Sequence, residues 1–309
     1  MHTPITIDAL RVIDAIDRKK SFAAAANELY RVPSAISYTV QKLEEDLGVE
    51  IFNRSGHRAV LTPAGRYLLE QGREILRAAD TLSQTTRQIA SGWEPKLTLA
   101  INTLLPLESL LPLVQEFQEQ QPQVEIQILE EVFGGAWDAL LCRRADLAIG
   151  CDIDSRPAGN FSLHPLGELE FVYAVAPNHP LCKERQPLSP ETLAQYRAVV
   201  AADSSRHLAP RSGGIFEKQP RLTVPNMAAK IEAQRQGLGA GYLPKRQIEP
   251  YLNRGELIAL TLEQPRPALE LYLAHRSEDR GRALKWFVKR LSSEPRFQQW
   301  LKPAVASQP

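Results

Sequence analysis

The sequence of 309 residues has few of the features that mark several large protein classes. It contains three cysteines, Cys142, Cys151 and Cys182, which are too few for a disulfide framework. Their spacing matches no zinc finger or zinc ribbon. We therefore expect reduced structural thiols, and a redox-sensing pair is the alternative. No run of eighteen apolar residues occurs, so no transmembrane helix and no membrane partner are expected.

The N-terminus also lacks the pattern of a signal peptide, because Asp8, Arg11 and Asp14 interrupt its apolar residues. We therefore expect a cytoplasmic protein. Neither sign of charge dominates, since 37 Lys and Arg face 36 Asp and Glu for a net charge of +1. The charge balance alone does not indicate nucleic-acid binding, which has to be inferred from a motif.

Motifs of common enzymes are missing as well. The sequence has no Gly-x-Ser-x-Gly elbow, no phosphate-binding loop and no dinucleotide-binding fingerprint. Its six histidines are scattered without the spacing of a metal site. We predict no catalytic residues, no metal ligands and no cofactor. An enzyme is the first rival hypothesis. The second is a transport receptor, which would need a signal peptide and would not need the first ninety residues.

Residues 1–65 have the pattern of a small helical domain. Apolar residues at helical spacing predict a first helix within Ile7–Ile16. Ser21 is the expected N-cap of an alanine-rich second helix over Phe22–Leu29. After a break at Tyr30–Val32, a proline begins a third helix over Pro33–Leu47. Two short helices joined by a tight turn form a helix-turn-helix, although a helical hairpin in a bundle has the same pattern.

The third helix and the segment after it supply candidate DNA contacts. The core face of the helix would hold Ala35, Ile36, Val40, Leu43 and Leu47. Its exposed face would hold Ser34, Ser37, Tyr38, Thr39 and Lys42. Two short apolar strands then flank a basic turn that contains Arg54, His57 and Arg58. A hairpin beside a recognition helix is a wing, whose cations reach phosphates or a minor groove. Arginines that only solvate a hairpin tip are the alternative.

These runs resemble the signature of the LysR family of transcriptional regulators. The matching runs are Ser21–Leu29, Ser34–Ser37, Lys42–Val49, Ile51–Arg54 and Leu61–Gly65. The resemblance implies DNA contacts from Ser34, Ser37, Tyr38, Thr39, Lys42, Arg54 and Arg58, with Arg31 reaching the DNA backbone. It implies a regulator that is not an enzyme, whose partners are double-stranded DNA, a small-molecule effector and a second copy of itself, with RNA polymerase as a further candidate.

The reading face departs from the family pattern at four positions. The family usually has Ser-Gln where this chain has Val32-Pro33, and Arg-Gln where it has Tyr38-Thr39. Long side chains that hydrogen-bond bases in pairs are therefore missing. We expect a different base preference, or more contact with thymine methyl groups, and no loss of DNA binding.

A long helical pattern follows from Pro63 to about Ser91 and is assigned to a linker helix over residues 66–92. Its apolar residues Leu68, Ile75, Leu82 and Ile89 recur every seventh position. This spacing predicts a coiled-coil-like pairing along roughly 40 Å. Packing on the chain's own domain is the alternative. In the family that the chain resembles, this helix pairs two subunits and dimers commonly form tetramers, so a dyad-symmetric DNA site is expected.

Residues 93–302 alternate strands with helices, which predicts an α/β domain with largely parallel sheets. The resemblance implies a sensor of two subdomains around a cleft, similar to periplasmic binding proteins. The first would hold residues 93–163 and 270–302, and the second residues 164–269. The chain would cross between them near Leu163–Leu166 and Gln264–Leu269.

Ligands of such sheets bind beyond the strand ends, where free N–H groups suit a small carboxylate. The candidate effector contacts are Asn102, Thr103, Leu104, Val132, Phe133, Gly134, Asp203, Ser204, Ser205 and Asn226. Helix capping is the alternative for each of them. Segments around Gly135 and Asn226 resemble the branch of the family with regulators of allantoin and aromatic-compound responses. A small organic acid or an aromatic compound is therefore the expected effector.

Overall fold

The computed structural model describes residues 4–53, 59–216, 219–293, 295 and 299–301. It divides into two compact units, Met1–Ser91 and Gly92–Pro309. Across these described ranges, no helix is both long enough and apolar enough to cross a membrane.

The first unit is mainly helical. Its elements are α1 (Ile7–Lys19), α2 (Phe22–Glu28), α3 (Pro33–Leu47), β1 (Phe52–Asn53), β2 (Val60–Leu61) and α4 (Pro63–Ala90). Side-chain caps lie at the starts of α1, α2 and α4. Ser21 Oγ accepts a hydrogen bond from the Ala24 N–H at 3.3 Å, and Thr62 Oγ1 accepts one from the Gly65 N–H at 2.9 Å. These contacts satisfy N–H groups that have no partner within the helix.

The core of the first unit is made by α1, α2 and α3 with the start of β1. Its buried apolar residues include Val12, Ile13, Ile16, Ala25, Ala26, Ile36, Leu43 and Ile51. The small buried alanines of α2 allow the neighbouring helices to approach closely. Gly65 has the same role at the start of α4. A Cβ atom there would lie 2.1 Å from the Ile51 carbonyl oxygen, so only glycine fits.

The second unit contains two subdomains. The first holds β3 (Lys96–Asn102), α5 (Leu111–Gln120), β4 (Glu125–Glu131), α6 (Gly135–Leu141), β5 (Leu147–Cys151) and β6 (Phe161–Leu169). The second holds β7 (Phe171–Val175), α7 (Pro190–Ala194), β8 (Ala198–Ala201), β9 (Arg221–Val224), α8 (Met227–Arg235), β10 (Gly241–Pro244), α9 (Lys245–Asn253) and β11 (Ile258–Leu260). The chain then returns to the first subdomain with β12 (Leu269–Arg276) and α10 (Arg282–Ser292).

The sheets are mixed, which corrects the expectation of largely parallel ones. The first subdomain has five strands in the order β4-β3-β5-β12-β6, and only the β3–β4 and β3–β5 pairs are parallel. Strand β12 is antiparallel to both neighbours. The second subdomain pairs β10-β7-β11 antiparallel and β8-β9 parallel. Strand β12 runs against β5 because it enters the first sheet from the side at which β5 ends.

The first chain crossing lies later than Leu163–Leu166. Strand β6 stays paired with β12 up to the pair Leu169 and Leu269, so residues 164–169 belong to the first sheet. The chain crosses at Glu170, immediately before β7. Sequence alone places this point too early because β6 continues into β7 with a single residue between them. The return crossing falls between β11 and β12, the region that contains Gln264.

Candidate nucleic-acid interface and candidate effector cavity

Helix α3 exposes most of the side chains that the sequence assigned to DNA. Ser34, Ser37, Tyr38 and Lys42 are exposed, and Tyr38 is 66% accessible. Thr39 is half-buried, and its hydroxyl donates a hydrogen bond to the Ala35 carbonyl oxygen at 2.9 Å. The hydroxyl hydrogen of Thr39 is therefore used within the helix. The outward face of α3 offers two serines, a tyrosine and a lysine.

Arg31 is held within the first unit. Its Nη1 and Nη2 donate to the two carboxylate oxygens of Asp8 at 2.8 and 2.7 Å. This pair lowers the pKa of Asp8, and it ties the turn between α2 and α3 to α1. Arg31 must leave Asp8 or share its donors to reach DNA. The preceding residue, Tyr30, is 97% accessible and was not predicted, although an aromatic residue in a short turn is a signal for such a position.

The hairpin after α3 is positioned by a buried acid that sequence reasoning missed. Glu44 lies on the inner face of α3, where its Oε1 accepts hydrogen bonds from the N–H groups of Ile51 and Phe52. The acid thereby fixes the start of β1, which pairs antiparallel with β2. The predicted wing residues Arg54, His57 and Arg58 lie outside the described residues. The position of Glu44, four residues after Val40 and three before Leu47 on the apolar face of α3, is the signal that could have revealed this contact.

The seven-residue stripe of α4 has two parts. Leu68 packs against the core of its own unit. Ile75, Leu82 and Ile89 are 46%, 69% and 58% accessible, respectively. Exposed apolar side chains that recur every two helical turns form one continuous face, which is the geometry of a helix that packs against another helix.

A cavity of about 180 Å³ lies between the two subdomains of the second unit. Three of the predicted effector contacts, Asn102, Leu104 and Phe133, line it. The other lining residues come from separate segments: Asp152, Asp154, Phe171, Ala201, Arg211, Ser212, Gly213, Met227, Lys230, Tyr242, Arg266 and Leu269. Strand ends and helix α8 therefore build one cavity from residues that are far apart in sequence.

Two further predicted contacts lie at a different cleft. Thr103 and Asn226 line a more open cleft, together with Glu108, Glu130 and Glu232. Asn226 is the N-cap of α8, where its Oδ1 accepts a hydrogen bond from the Ala229 N–H at 2.9 Å. The structure therefore shows Asn226 as a helix cap, which was the alternative to an effector contact.

The remaining predicted contacts join the subdomains beside the cavity. Ser204 Oγ donates to Glu131, and the Val132 N–H donates to Ser204 Oγ at 2.8 Å. Asp203 accepts hydrogen bonds from the backbone N–H groups of Ser205 and Arg211. A Cβ on Gly134 would lie 2.8 Å from Ser205 Oγ. Val132, Gly134, Asp203, Ser204 and Ser205 are therefore absent from the cavity lining and form a tight contact next to it.

The main electrostatic feature of the cavity was missed in the sequence. Lys230 of α8 is only 6% accessible, and its ammonium group has no hydrogen-bond or ion-pair partner among the described residues. Burial and the nearby Arg266 lower the pKa of Lys230 to about 8. Burial also lowers the pKa of Arg266, whose guanidinium lies 4.2 Å from the ring centre of Phe171. The cavity therefore contains two cationic groups that lack a carboxylate within ion-pair distance in the described chain.

A second group of polar residues, at α6 and the loop after β8, has the spacing of metal ligands. Asp138, Cys142 and His207 are the one group among the described residues with metal-ligand spacing, and Cys142 Sγ lies 3.1 Å from His207 Nδ1. The carboxylate of Asp138 is already bonded to Arg144 and to the backbone N–H groups of His207 and Leu208. Burial acts to raise the pKa of Asp138, but these donors lower it to about 2. This network accounts for Asp138 as the anchor of the loop that begins at Asp203.

A helix-turn-helix with a hairpin, a long helix with an exposed apolar stripe and a two-subdomain unit with a cavity define the class of ligand-responsive transcriptional regulators. Two family models match the chain. Residues 7–66 match the bacterial regulatory helix-turn-helix protein, lysR family, and residues 90–296 match the LysR substrate binding domain. The chain belongs to the LysR family of transcriptional regulators, which confirms the family and fold predicted from the sequence.

Curated relatives are regulators of the same type. The probable transcriptional regulator YhaJ of Escherichia coli K12 is 40% identical over 287 residues, which cover 93% of this chain and 96% of YhaJ. The transcriptional activator AllS of Klebsiella pneumoniae is 33% identical over 265 residues, covering 85% of this chain and 97% of AllS. These names confirm the prediction of a regulator that is not an enzyme.

A solved structure supports the same fold. The OxyR C206 mutant of Corynebacterium glutamicum superimposes with a TM-score of 0.67 at 22% identity, covering 97% of this chain and 95% of that one.

Proposed function

We propose that two copies of the chain pair through α4 and bind a dyad-symmetric promoter site, either as this dimer or as a tetramer of two dimers. The observation that carries the proposal is the exposed stripe Ile75, Leu82 and Ile89, in the same unit as the exposed face of α3. An apolar stripe at seven-residue spacing favours pairing with an identical helix. Two copies related by a two-fold axis present two recognition helices, which match a site with dyad symmetry.

The proposal assigns the cavity of the second unit to a small-molecule effector, either an organic acid or an aromatic compound. Its lining comes from both subdomains, with Phe133 on one and Lys230 on the other. A ligand that contacts both sides stabilises one arrangement of the subdomains over others. This change would alter the spacing of the paired recognition helices. Cytoplasmic location and RNA polymerase as a further partner belong to the same proposal.

The DNA part is tested by a gel-shift titration on the DNA upstream of the chain's own gene. We expect a retarded complex at low salt whose affinity falls with salt, because phosphate contacts release counterions. Lys42→Ala should weaken binding to all sequences and reduce the salt slope by about one. Lys285→Ala, at an exposed lysine of α10, is the matched control and should leave both unchanged. Unchanged mobility with folded protein at low salt would contradict DNA binding.

The reading of bases is tested at Tyr38, which is an exposed large hydrophobic side chain of α3. Selection of binding sites from a random pool should give a different consensus for Tyr38→Ala than for the unchanged protein. An identical consensus would show that Tyr38 does not contribute to sequence preference.

A further inference from the structure

We propose that the effector is an anion with a single planar ring, and that Lys230 and Arg266 bind its acid group inside the cavity. This inference rests on the proposed effector role of the cavity and adds the chemistry of the ligand. It differs from the sequence expectation, in which backbone N–H groups at strand ends and helix starts receive a carboxylate.

The first reason is the state of Lys230. Its side chain is nearly fully buried and lines the cavity, and no carboxylate of the described chain pairs with it. An unpaired buried cation is unfavourable, because burial removes its hydration without replacing it. A buried ammonium group that faces an internal space is therefore expected to have its counter-ion supplied by a ligand.

The second reason is the charge distribution around Lys230. The charged groups that line the cavity are three cations, Lys230, Arg211 and Arg266, and two acids, Asp152 and Asp154, an excess of one positive charge. Asp152 is already engaged, because it accepts hydrogen bonds from Ser155 and lies 3.5 Å from Arg211 Nη1. Asp154 is exposed to solvent. Within the described chain the acids therefore leave Lys230 without a compensating carboxylate, whereas Asp152 acts on Arg266 from beyond ion-pair distance.

The third reason is the shape and chemistry of the walls. Phe133, Phe171, Met227, Leu104 and Leu269 supply apolar surface, and the Tyr242 ring completes the lining. The cavity of about 180 Å³ compares with roughly 150 Å³ for an apolar cavity that holds benzene. One ring therefore fills most of the space, and an acid group on it can reach the buried Lys230 and the half-buried Arg266. A two-ring ligand would exceed this volume.

The charge of Lys230 gives the binding a pH dependence with a defined sign. In the empty cavity the lysine has a pKa of about 8, so it loses its proton as the pH rises through this value. A bound anion favours the charged form and raises this pKa, so binding near pH 8 takes up protons. The other titratable groups that line the cavity are Asp152, Asp154, Arg211, Tyr242 and Arg266. We expect anion affinity to be constant below about pH 7 and to fall by up to about tenfold per pH unit above pH 8.

The test is calorimetric titration of the full-length protein with benzoate, salicylate and 4-hydroxybenzoate, and with benzamide as the neutral isostere of benzoate. The titrations run from about pH 6.5 to about pH 9.5 in buffers of different ionisation enthalpy. We expect at least one acid to bind, and benzoate to bind at least about tenfold more tightly than benzamide at the low end. Failure of all the acids to bind, or equal affinity for benzoate and benzamide, would overturn the proposal.

Lys230→Met separates the charge from the fold. We expect it to reduce the affinity for the acids at least about tenfold and to abolish the pH dependence. Without ligand it should raise the melting temperature of the second unit, because methionine has a shape similar to that of lysine but carries no unpaired buried charge. Lys285→Met, at an exposed lysine, is the control and should bind as the unchanged protein does. Unaltered acid binding by a folded Lys230→Met protein contradicts the assignment.

The same ligands in the gel-shift assay distinguish this inference from the proposed function. If the acids bind through Lys230 but leave the DNA complex unchanged, the ligand chemistry stands and the effector role of the cavity fails. If DNA binding responds only to neutral compounds, the effector role stands and the anion assignment is wrong.

Discussion

The two units of the chain hold the charges that we propose for binding in opposite environments. In the first unit, Lys42 and its polar neighbours stand in solvent along one face of a single helix. In the second unit, a cavity of about 180 Å³ is lined by Lys230, which is buried, and by Arg266, which is half-buried. Salt screens exposed charges within roughly 10 Å at 0.1 M and buried ones much less. Exposed charges such as Lys42 therefore suit a long polyanion, and charges that line a cavity discriminate between small ligands.

The largest expected effect concerns the face of α4 through which we propose that two copies of the chain pair. Leu82→Glu places a charge on the exposed apolar stripe of α4 and should convert the protein to monomers, because a charge cannot be desolvated at a paired helix face. Binding to a two-half-site DNA should fall about a thousandfold, which is about 4 kcal/mol. Sedimentation velocity and gel shift measure the two changes.

The control for Leu82→Glu is Leu111→Glu, which charges an exposed apolar side chain of α5 in the other unit. It should leave both the mass and the affinity unchanged. A Leu82→Glu protein that still sediments as a dimer would transfer the pairing role to another surface.

The second unit depends on a buried acid for its loop. Asp138→Asn removes the charge that holds Arg144 while it keeps one acceptor for the backbone N–H groups of His207 and Leu208. Breaking such a buried pair should lower the free energy of unfolding by about 3 kcal/mol. The folded-state pKa of about 2 is below its ordinary value, so this contribution is present above about pH 4 and is lost as the pH falls through 2.

Urea unfolding as a function of pH measures the Asp138 effect, with Asp154→Asn at an exposed acid as the control. Equal unfolding midpoints for the two variants would show that Asp138 does not anchor the loop.

The first unit depends on close packing at the start of α4. Gly65→Ala forces a methyl group towards the Ile51 carbonyl oxygen, 2.1 Å from the position of the new Cβ. Overpacking of this kind should destabilise the unit by about 1–3 kcal/mol. Circular dichroism during thermal unfolding measures it, and Ala64→Ser at the neighbouring exposed position serves for comparison. Equal melting temperatures for Gly65→Ala and Ala64→Ser would mean that α4 moves away from Ile51 at no cost in stability.

The smallest effect is expected at the ion pair of Asp8 with Arg31. Both side chains are substantially exposed, so Asp8→Asn should destabilise the first unit by less than about 1 kcal/mol. The pKa of Asp8 is lowered in the folded state, so this contribution exists at neutral pH and disappears as the pH falls below the ordinary range of an aspartate. Added salt should reduce the difference between the two proteins. A salt-independent difference would indicate a buried contact instead.

Freeing Arg31 has a second expected result. If the guanidinium then contacts phosphate, Asp8→Asn should strengthen DNA binding slightly and steepen its salt dependence. Weaker binding would instead mean that the ion pair positions the turn before α3.

Local structure was predictable where one segment contains its own signals. The proline at position 33 and the apolar spacing set the bounds of α3, and Ser21 caps α2 as expected. The cavity was predictable only at Asn102, the last residue of β3, and at Leu104 and Phe133, which follow β3 and β4 in the first sheet. Lys230 and Arg266 meet there because α8 and the return crossing converge in space. No spacing along the chain encodes that convergence, since the two residues come from separate segments.

The last residue pair between β6 and β12 has a mechanical consequence. Leu169 and Leu269 face each other where β6 ends and β12 begins, so the outgoing and returning chains leave the sheet side by side. The chain thereby connects the second subdomain to the first at two adjacent points on a single edge of the sheet. A body attached in this way rotates mainly about this edge once the hydrogen bonds that join Ser204 to Glu131 and Val132 have opened. If the cavity binds an effector as proposed, the ligand needs to set only this one angle to change the shape of the second unit.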